Sequence, residues 1–329
     1  MSISKYFSFF RVLTFEAGAL LCTGFCVFAL YALVLSEPTS ANIKFERFTI
    51  KSIGQNVKEP TDYLKKVFDR IGYKLDAVRS HRQVPRVFLA NVPKDLANLR
   101  EPAERKNVFI MMTLPLVLNV NEIIQQDRAH LKRISVKKFA GKPLTVIDKN
   151  FLENLSKTYE LKRPNIRELL KRVDIIPPSL ALAQSAEESG WGTSRFASEG
   201  NALFGQRTWR TADGLVPKQR EEGKNFRVRA FSHLLDGVKA YALNLNTSPF
   251  YNTFREMRSA MRKSNKGKID GMRLAETLFR YSERGLDYIV TIKKIIRVNN
   301  FTNFDEAQLS NKIKNQPISV RNVDARPDA

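Results

Sequence analysis

A chain of 329 residues has room for one large domain or two ordinary ones. Its 43% hydrophobic content is that of a globular core and excludes wholesale disorder. Lys and Arg number 55 against 33 Asp and Glu, a formal charge of +22. That excess points to an anionic partner surface, whether nucleic acid, membrane phospholipid or envelope polymer, and says nothing of fold.

Cys22 and Cys26, the two cysteines, share one apolar stretch. They exclude a disulfide framework and a paired CxxC zinc pattern. His81, His130 and His233 are far apart in sequence, which argues against a His-rich metal centre. No metal and no cofactor is expected.

Residues 17–35 carry no charge. As a helix they would span about 28 Å at about 1.5 Å per residue, close to the hydrocarbon thickness of a bilayer. A cleaved signal peptide has a shorter apolar core, of about 7–15 residues, so the length favours an uncleaved anchor. Lys5 and Arg11 precede the span and Lys44, Arg47 and Lys51 follow it, so the charge bias leaves its orientation open.

Residues 37–60 read as a linker. Residues 62–71 have helical spacing, with Tyr63, Val67 and Ile71 on one face. Residues 83–92 read as strand-like. Residues 106–131 hold an apolar run too short and too polar for a second membrane span, and read as a buried helix with Pro115 near a turn or kink. Glu122 on this element has two readings, a salt-bridged surface acid or a cleft-lining one. Residues 150–159 and 166–173 look like amphipathic helices, and Pro178 suits the first turn of the next helix. Residues 208–229 have Gly214, Pro217, Gly223 and no helical period, and read as a long loop or small hairpin. Residues 236–246, 274–281 and 287–298 look helical again. The stretch from about Asn303 is charged, Asn-rich and expected to be mobile.

Residues 181–195 are the most informative stretch. They read as a short buried helix that reaches Glu187 and Glu188 in its last turn and breaks at Gly190-Trp191-Gly192. Gln184 and Glu188, four apart, share one face, whereas Glu187 points about 100° away. A carboxyl on a mostly apolar helix is desolvated and tends to keep its proton near neutrality, so it can donate to a leaving-group oxygen. From composition alone, a helix end with two solvated glutamates is the competing reading.

The residues around this helix resemble the glucosaminidase family of peptidoglycan hydrolases, glycoside hydrolase family 73. Leu182-Ala183-Gln184, Glu188-Ser189-Gly190-Trp191-Gly192 and Ser194 carry the first block, and Asn201, Leu203, Phe204 and Gly205 the second. The run from Glu199 to Gln206 is similar to the Bax-like subgroup of that family, as is the apolar element from Leu114 to Ile123. Asn225-Phe226-Arg227 to Tyr241 and Tyr281-Ser282 with Asp287-Tyr288 extend the resemblance, which covers roughly residues 165–299. Any one block alone is weak; the combination is specific.

The resemblance implies Glu188 as general acid and Tyr281 as the cleft tyrosine that positions an N-acetyl group or a water. It implies that Gln184 and Asn201 orient the acid or the turn, and that Gln184, Trp191, Asn201, Phe204 and Tyr288 contribute to substrate binding. Ala202, Arg207 and the insertion Arg284-Gly285-Leu286 depart from the family pattern. A second acid is not clearly marked: Glu221 and Glu222 fall in the corresponding loop, and Glu222 is taken as the candidate. Sugar hydrolysis generally uses two carboxylates, about 5–5.5 Å apart in retaining and about 6.5–9.5 Å apart in inverting enzymes. Either Glu222 acts through a water, or the substrate's own acetamido group takes its place.

The implied fold is mainly α (α+β), a lysozyme-like helical domain with a small β-lobe, preceded by a transmembrane helix and a mixed helical region. The expected organisation is an anchor at 1–36, a mainly helical region at 37–160, the catalytic domain at 161–302 and a flexible tail at 303–329. The implied activity is an endo-β-N-acetylglucosaminidase on peptidoglycan glycan strands. It would be held at the bacterial inner membrane through residues 17–35, with the catalytic domain outside the cytoplasm. A non-catalytic glycan-binding scaffold, and an amidase, muramidase or lytic transglycosylase on the same fold, are the alternatives. No nucleic-acid partner is expected, because no zinc finger, aromatic RNA-binding pattern or basic zipper is present.

Overall fold

A computed structural model describes residues 60–208, 214–217, 226–264 and 267–310. The apolar run at 17–35, with Cys22 and Cys26, lies outside the described residues, as do Glu221 and Glu222.

Two short helices open the described chain, α1 (Thr61–Arg70) and α2 (Leu75–His81). They bury Leu64, Val67, Phe68 and Val78. Strand β1 is only Gln83–Val84, because Pro85 removes the next ladder donor from the expected 83–92 strand. Helix α3 (Pro102–Phe139) is 38 residues long, and Pro115 lies inside it. A proline there deletes one helical hydrogen bond, yet the helix continues through it. Burial of Phe109, Met112, Leu114, Leu116 and Val117 around the proline offsets the loss. An 18-residue window of α3 is apolar enough to cross a membrane, but 72% of it is buried inside the protein. By length and composition it passes for a membrane span, longer and more apolar than the sequence reading allowed, and it is its burial that makes it the core helix expected.

Helix α4 (Val146–Thr158) starts at a capping box in which Thr145 and Asp148 satisfy each other's backbone N–H groups. Helix α5 (Ile166–Arg172) is capped by Asn165. Helix α6 (Pro178–Ser189) is buried on nearly all sides from Pro178 to Ala186. It packs against α3, against the two helices at 271–275 and 286–298, and against the 3-10 turn Phe301–Phe304. Gly190, with φ +56, ends it in the left-handed conformation that glycine adopts without cost.

Helix α7 (Arg195–Gly200) leads into a small antiparallel sheet, β2 (Arg207–Thr208), β3 (Gly214–Leu215) and β4 (Arg227–Arg229), ordered β2-β4-β3. Arg207 lies opposite Val228, and Leu215 lies opposite Val228 on the other side. Helices α8 (Leu234–Thr247), α9 (Asn252–Ser264), α10 (Gly271–Ala275) and α11 (Leu286–Val298) complete the body. The expected helix at 274–281 starts earlier, where Asp270 caps Met272 and Arg273 N–H, and gives way after Ala275 to turns. Helix α9 has no counterpart in the sequence reading. Its Arg258 is buried and donates to the carbonyls of Lys171, Asp174 and Ile175, while Arg262 holds the Asp174 carboxylate.

Two boundaries differ from expectation. Residues 60–160 are not set apart from the helices after them, since α3 packs on α5, α6 and α8 within one compact unit. The stretch from Asn303 is not mobile as far as residue 310. Phe304 and Leu309 are buried, and β5 (Gln308–Leu309) pairs in parallel with β1. Apolar residues at 304, 307 and 309 hide among the polar ones and anchor the segment. The architecture is mainly helical with one small antiparallel sheet, as the fold class expected.

Candidate active site

Glu188 lies in the last turn of α6, one turn after Gln184. The two share a face, and on that face a directed chain of hydrogen bonds forms. The Tyr241 hydroxyl donates to Gln184 Oε1 at 2.7 Å. Gln184 Nε2 donates to the Tyr288 hydroxyl at 3.0 Å. The Tyr288 hydroxyl, having accepted there, has its own proton left for the Glu188 carboxyl, to which it is hydrogen-bonded. Bonds in such a chain polarise one another. One carboxyl oxygen of Glu188 is thereby held as an acceptor, and an acidic proton would sit on the other.

Burial pushes the Glu188 carboxyl up to about 7. The Tyr288 hydrogen bond opposes that, Glu187 adds to it, and the positive charges of Arg284 and Arg207 reduce it. Glu188 also lies at the C-terminal end of its helix, where the backbone dipole disfavours negative charge. Glu187 points elsewhere and is ion-paired with Arg284. The 100° step between the two glutamates therefore separates a carboxyl without an ion pair among the described residues from one paired with Arg284.

The chain comes very close to the acid at Gly205. A β-carbon there would lie 2.9 Å from Glu188 Oε2, and the residue has φ +60. Both constraints call for glycine.

Aromatic rings build the surroundings. Phe204 stacks on Tyr241 with centroids 3.8 Å apart. Tyr281 stacks on Tyr288 at 5.4 Å, and its hydroxyl donates to the Phe204 carbonyl at 3.2 Å. Tyr251 lies 6.0 Å from Tyr281, and burial pushes its hydroxyl up to about 12 while Asn244 hydrogen-bonds it. Burial raises the Tyr241, Tyr281 and Tyr288 hydroxyls as well, so all four stay neutral.

Among the residues singled out in the sequence, Gln184, Glu188, Phe204, Tyr281 and Tyr288 come together. Trp191 and Asn201 do not join them. Trp191, with φ +59, packs edge-on against Phe109 of α3 and beside Phe301, with the Lys106 ammonium over its ring. Its contacts are those of a wedge under the turn after α6. Asn201, with φ +52, is a latch at the end of α7. It donates to Asn91 and to the Phe231 and Ser232 carbonyls, and accepts from Val92 N–H. Glu122 is held by two bonds from Arg86, at 2.7 and 2.9 Å, which is the salt-bridged reading.

Tyr241, Tyr251, Asn244 and Gly205 were not named as site residues from sequence. A signal was available. The chain has nine tyrosines, and the four beyond residue 160 all gather around Glu188.

Known proteins give the context. The Glucosaminidase family, described as mannosyl-glycoprotein endo-beta-N-acetylglucosaminidase, matches residues 163–301. The Bax protein of Escherichia coli (strain K12) is 33% identical over 200 residues, which is 59% of this chain and 69% of that protein. The catalytic domain of the autolysin Auto from Listeria monocytogenes is 18% identical and matches 53% of this chain and 97% of its own, with a TM-score of 0.31. At that score the backbone likeness carries no weight, and the assignment rests on sequence. The chain belongs to the glucosaminidase family and is a homologue of the E. coli Bax protein.

Proposed function

We propose that this protein is a peptidoglycan hydrolase that cuts the glycan backbone as an endo-β-N-acetylglucosaminidase, with Glu188 as its general acid. The observation that carries the reading is the half-buried Glu188 carboxyl, raised to about 7 and aimed by the Tyr241–Gln184–Tyr288 chain. Such a group is protonated at and below neutrality and can protonate the oxygen leaving N-acetylglucosamine. Tyr281, beside Tyr288, is suited to position the N-acetyl group or a water. An oxocarbenium-like centre then needs stabilising from the other face. Glu222 through a water, or the substrate's acetamido oxygen, would supply it. A peptidoglycan substrate implies work outside the cytoplasm, and residues 17–35 would hold the protein to the inner membrane.

Purified sacculi test each part. Glu188→Gln should abolish release of soluble fragments, and full activity in that variant would sink the assignment. Full activity in Glu222→Gln would favour the substrate-assisted route. N-acetylglucosamine at the reducing end of the fragments identifies a glucosaminidase. Muramic acid there indicates a muramidase, its anhydro form a lytic transglycosylase, and freed stem peptides an amidase. Binding of sacculi without turnover by the unaltered chain would favour the scaffold reading.

A further inference from the structure

Helices α3 and α4 run antiparallel. The His130 ring stacks on Phe151 at 4.0 Å, and further along Lys137 Nζ bonds Asp148 Oδ2 at 3.1 Å. The two helices form a hairpin whose tip is the loop at 140–145. Large apolar side chains stand in water there. Phe139 is 96% exposed, Ile147 74%, Val146 72% and Val136 69%, and these are the four most exposed large apolar side chains among the described residues. Val136 and Phe139, three apart, share a face at the end of α3, while Val146 and Ile147 open α4. The Lys137–Asp148 bond keeps the two helix ends side by side.

Charge at this tip has one sign. Residues 132–149 hold Lys132, Arg133, Lys137, Lys138, Lys142 and Lys149 against one acid, Asp148. Asp148 is buried, bonded to Lys137 and to the Thr145 N–H. Lys132, Arg133, Lys138, Lys142 and Lys149 are exposed and make no ion pair among the described residues. A glycan or nucleic acid would match these cations but offers nothing to valine and isoleucine. A second copy of the tip would bring cations against cations. The partner that presents anionic groups over an apolar layer is a phospholipid surface.

We propose that the tip of the α3–α4 hairpin docks on an anionic phospholipid bilayer. Val136, Phe139, Val146 and Ile147 enter the boundary between headgroups and acyl chains. Lys132, Arg133, Lys138, Lys142 and Lys149 bind lipid phosphates around them. This contact is independent of Glu188 and of the bond that is cut. With residues 17–35 in the same membrane, it would fix the orientation of the body as well as its distance from the bilayer.

The test uses the full chain in lipid nanodiscs, with Cys22→Ser and Cys26→Ser. A polarity-sensitive dye is attached at Ala140→Cys or, as a control on the exposed face of α11, at Val290→Cys. In discs containing phosphatidylglycerol, the dye at 140 should shift to the blue and be quenched by brominated acyl chains, while the dye at 290 should not. Lys138→Glu with Lys142→Glu should remove both effects. A dye at 140 that stays as wet as the one at 290 overturns the proposal. Equal protection in purely zwitterionic discs overturns the role of lipid charge. Protection in lipid-free detergent that grows with protein concentration overturns the proposal in favour of a second copy.

Discussion

Helix α6 has a half-buried carboxyl at each end, and loss of solvent pushes both up to about 7. Asp305 lies at the N-terminal end and accepts from the Ser179 N–H and hydroxyl, both at 2.8 Å. Those two bonds and the positive end of the helix dipole favour its ionised form. Glu188 lies at the C-terminal end, against the negative end of the dipole, with the Tyr288 hydroxyl as its donor. Burial alone therefore does not mark an acid for chemistry. The mark is a half-buried carboxyl whose oxygens the protein has not fully used, placed where its proton is kept.

Neutralising each end in turn should separate the two most clearly. Glu188→Gln should lower sacculus turnover by about 10²–10⁴-fold, the scale of a general acid. Asp305→Asn should leave turnover near that of the parent. If Asp305→Asn lost turnover as fully while melting like the parent, the two ends would be alike and the distinction between them would be lost.

Tyr288→Phe comes next. It keeps the stack on Tyr281 but deletes the hydroxyl between Gln184 and Glu188. Turnover should fall by roughly tenfold or more, as for the loss of a hydrogen bond to a charged group. The general acid works protonated, so the parent should lose kcat/KM as pH rises through about 7. Without Tyr288 the ionised form loses a stabilising bond, and this alkaline limb should move to higher pH.

Stability should follow the same carboxyl. The Glu188 side chain titrates near 4.5 when unfolded and near 7 when folded. The folded state holds the extra proton between those values, so this contribution to stability falls as pH rises through that window. Glu188→Gln cannot ionise, and should be more stable than the parent at pH 8 by roughly 1–3 kcal/mol, with little gain at pH 4. Urea melts at the two pH values check it. Asp305→Asn should instead cost about 1 kcal/mol at pH 5, one of the two Ser179 bonds being lost.

The smallest effect belongs to the outer pair. Glu187→Gln should move the alkaline limb slightly down and Arg284→Ala slightly up, because Glu187 raises the Glu188 carboxyl and Arg284 lowers it. A pH profile that ignored both would separate Glu188 from its charged neighbours.

The sequence made the core of this site legible because helical spacing set Gln184 and Glu188 in phase and Glu187 out of it. Residue types at a distance were recognised through family blocks, which carried Phe204, Tyr281 and Tyr288 to the acid. Trp191 and Asn201 came with the same blocks, yet they hold the turns on either side of α7. A motif records what must be kept, and does not say whether for contact or for shape. Helix α9 escaped notice because two of its inward positions are Arg255 and Arg258, buried against backbone carbonyls where a periodicity reading expects apolar residues. The packed segment at 301–310 escaped because three apolar side chains and a two-residue strand are a weak signal among polar neighbours.

Helix α3 also bears on how the protein is made. Its apolar window leaves the ribosome long before α6 and α8, which cover it. Until then the nascent chain exposes a segment that composition alone cannot tell from a membrane span. A chain cut after residue 162 would keep that segment and lose its cover, and should aggregate or partition into lipid. The unit matched by the family thus also supplies the cover of the helix before it.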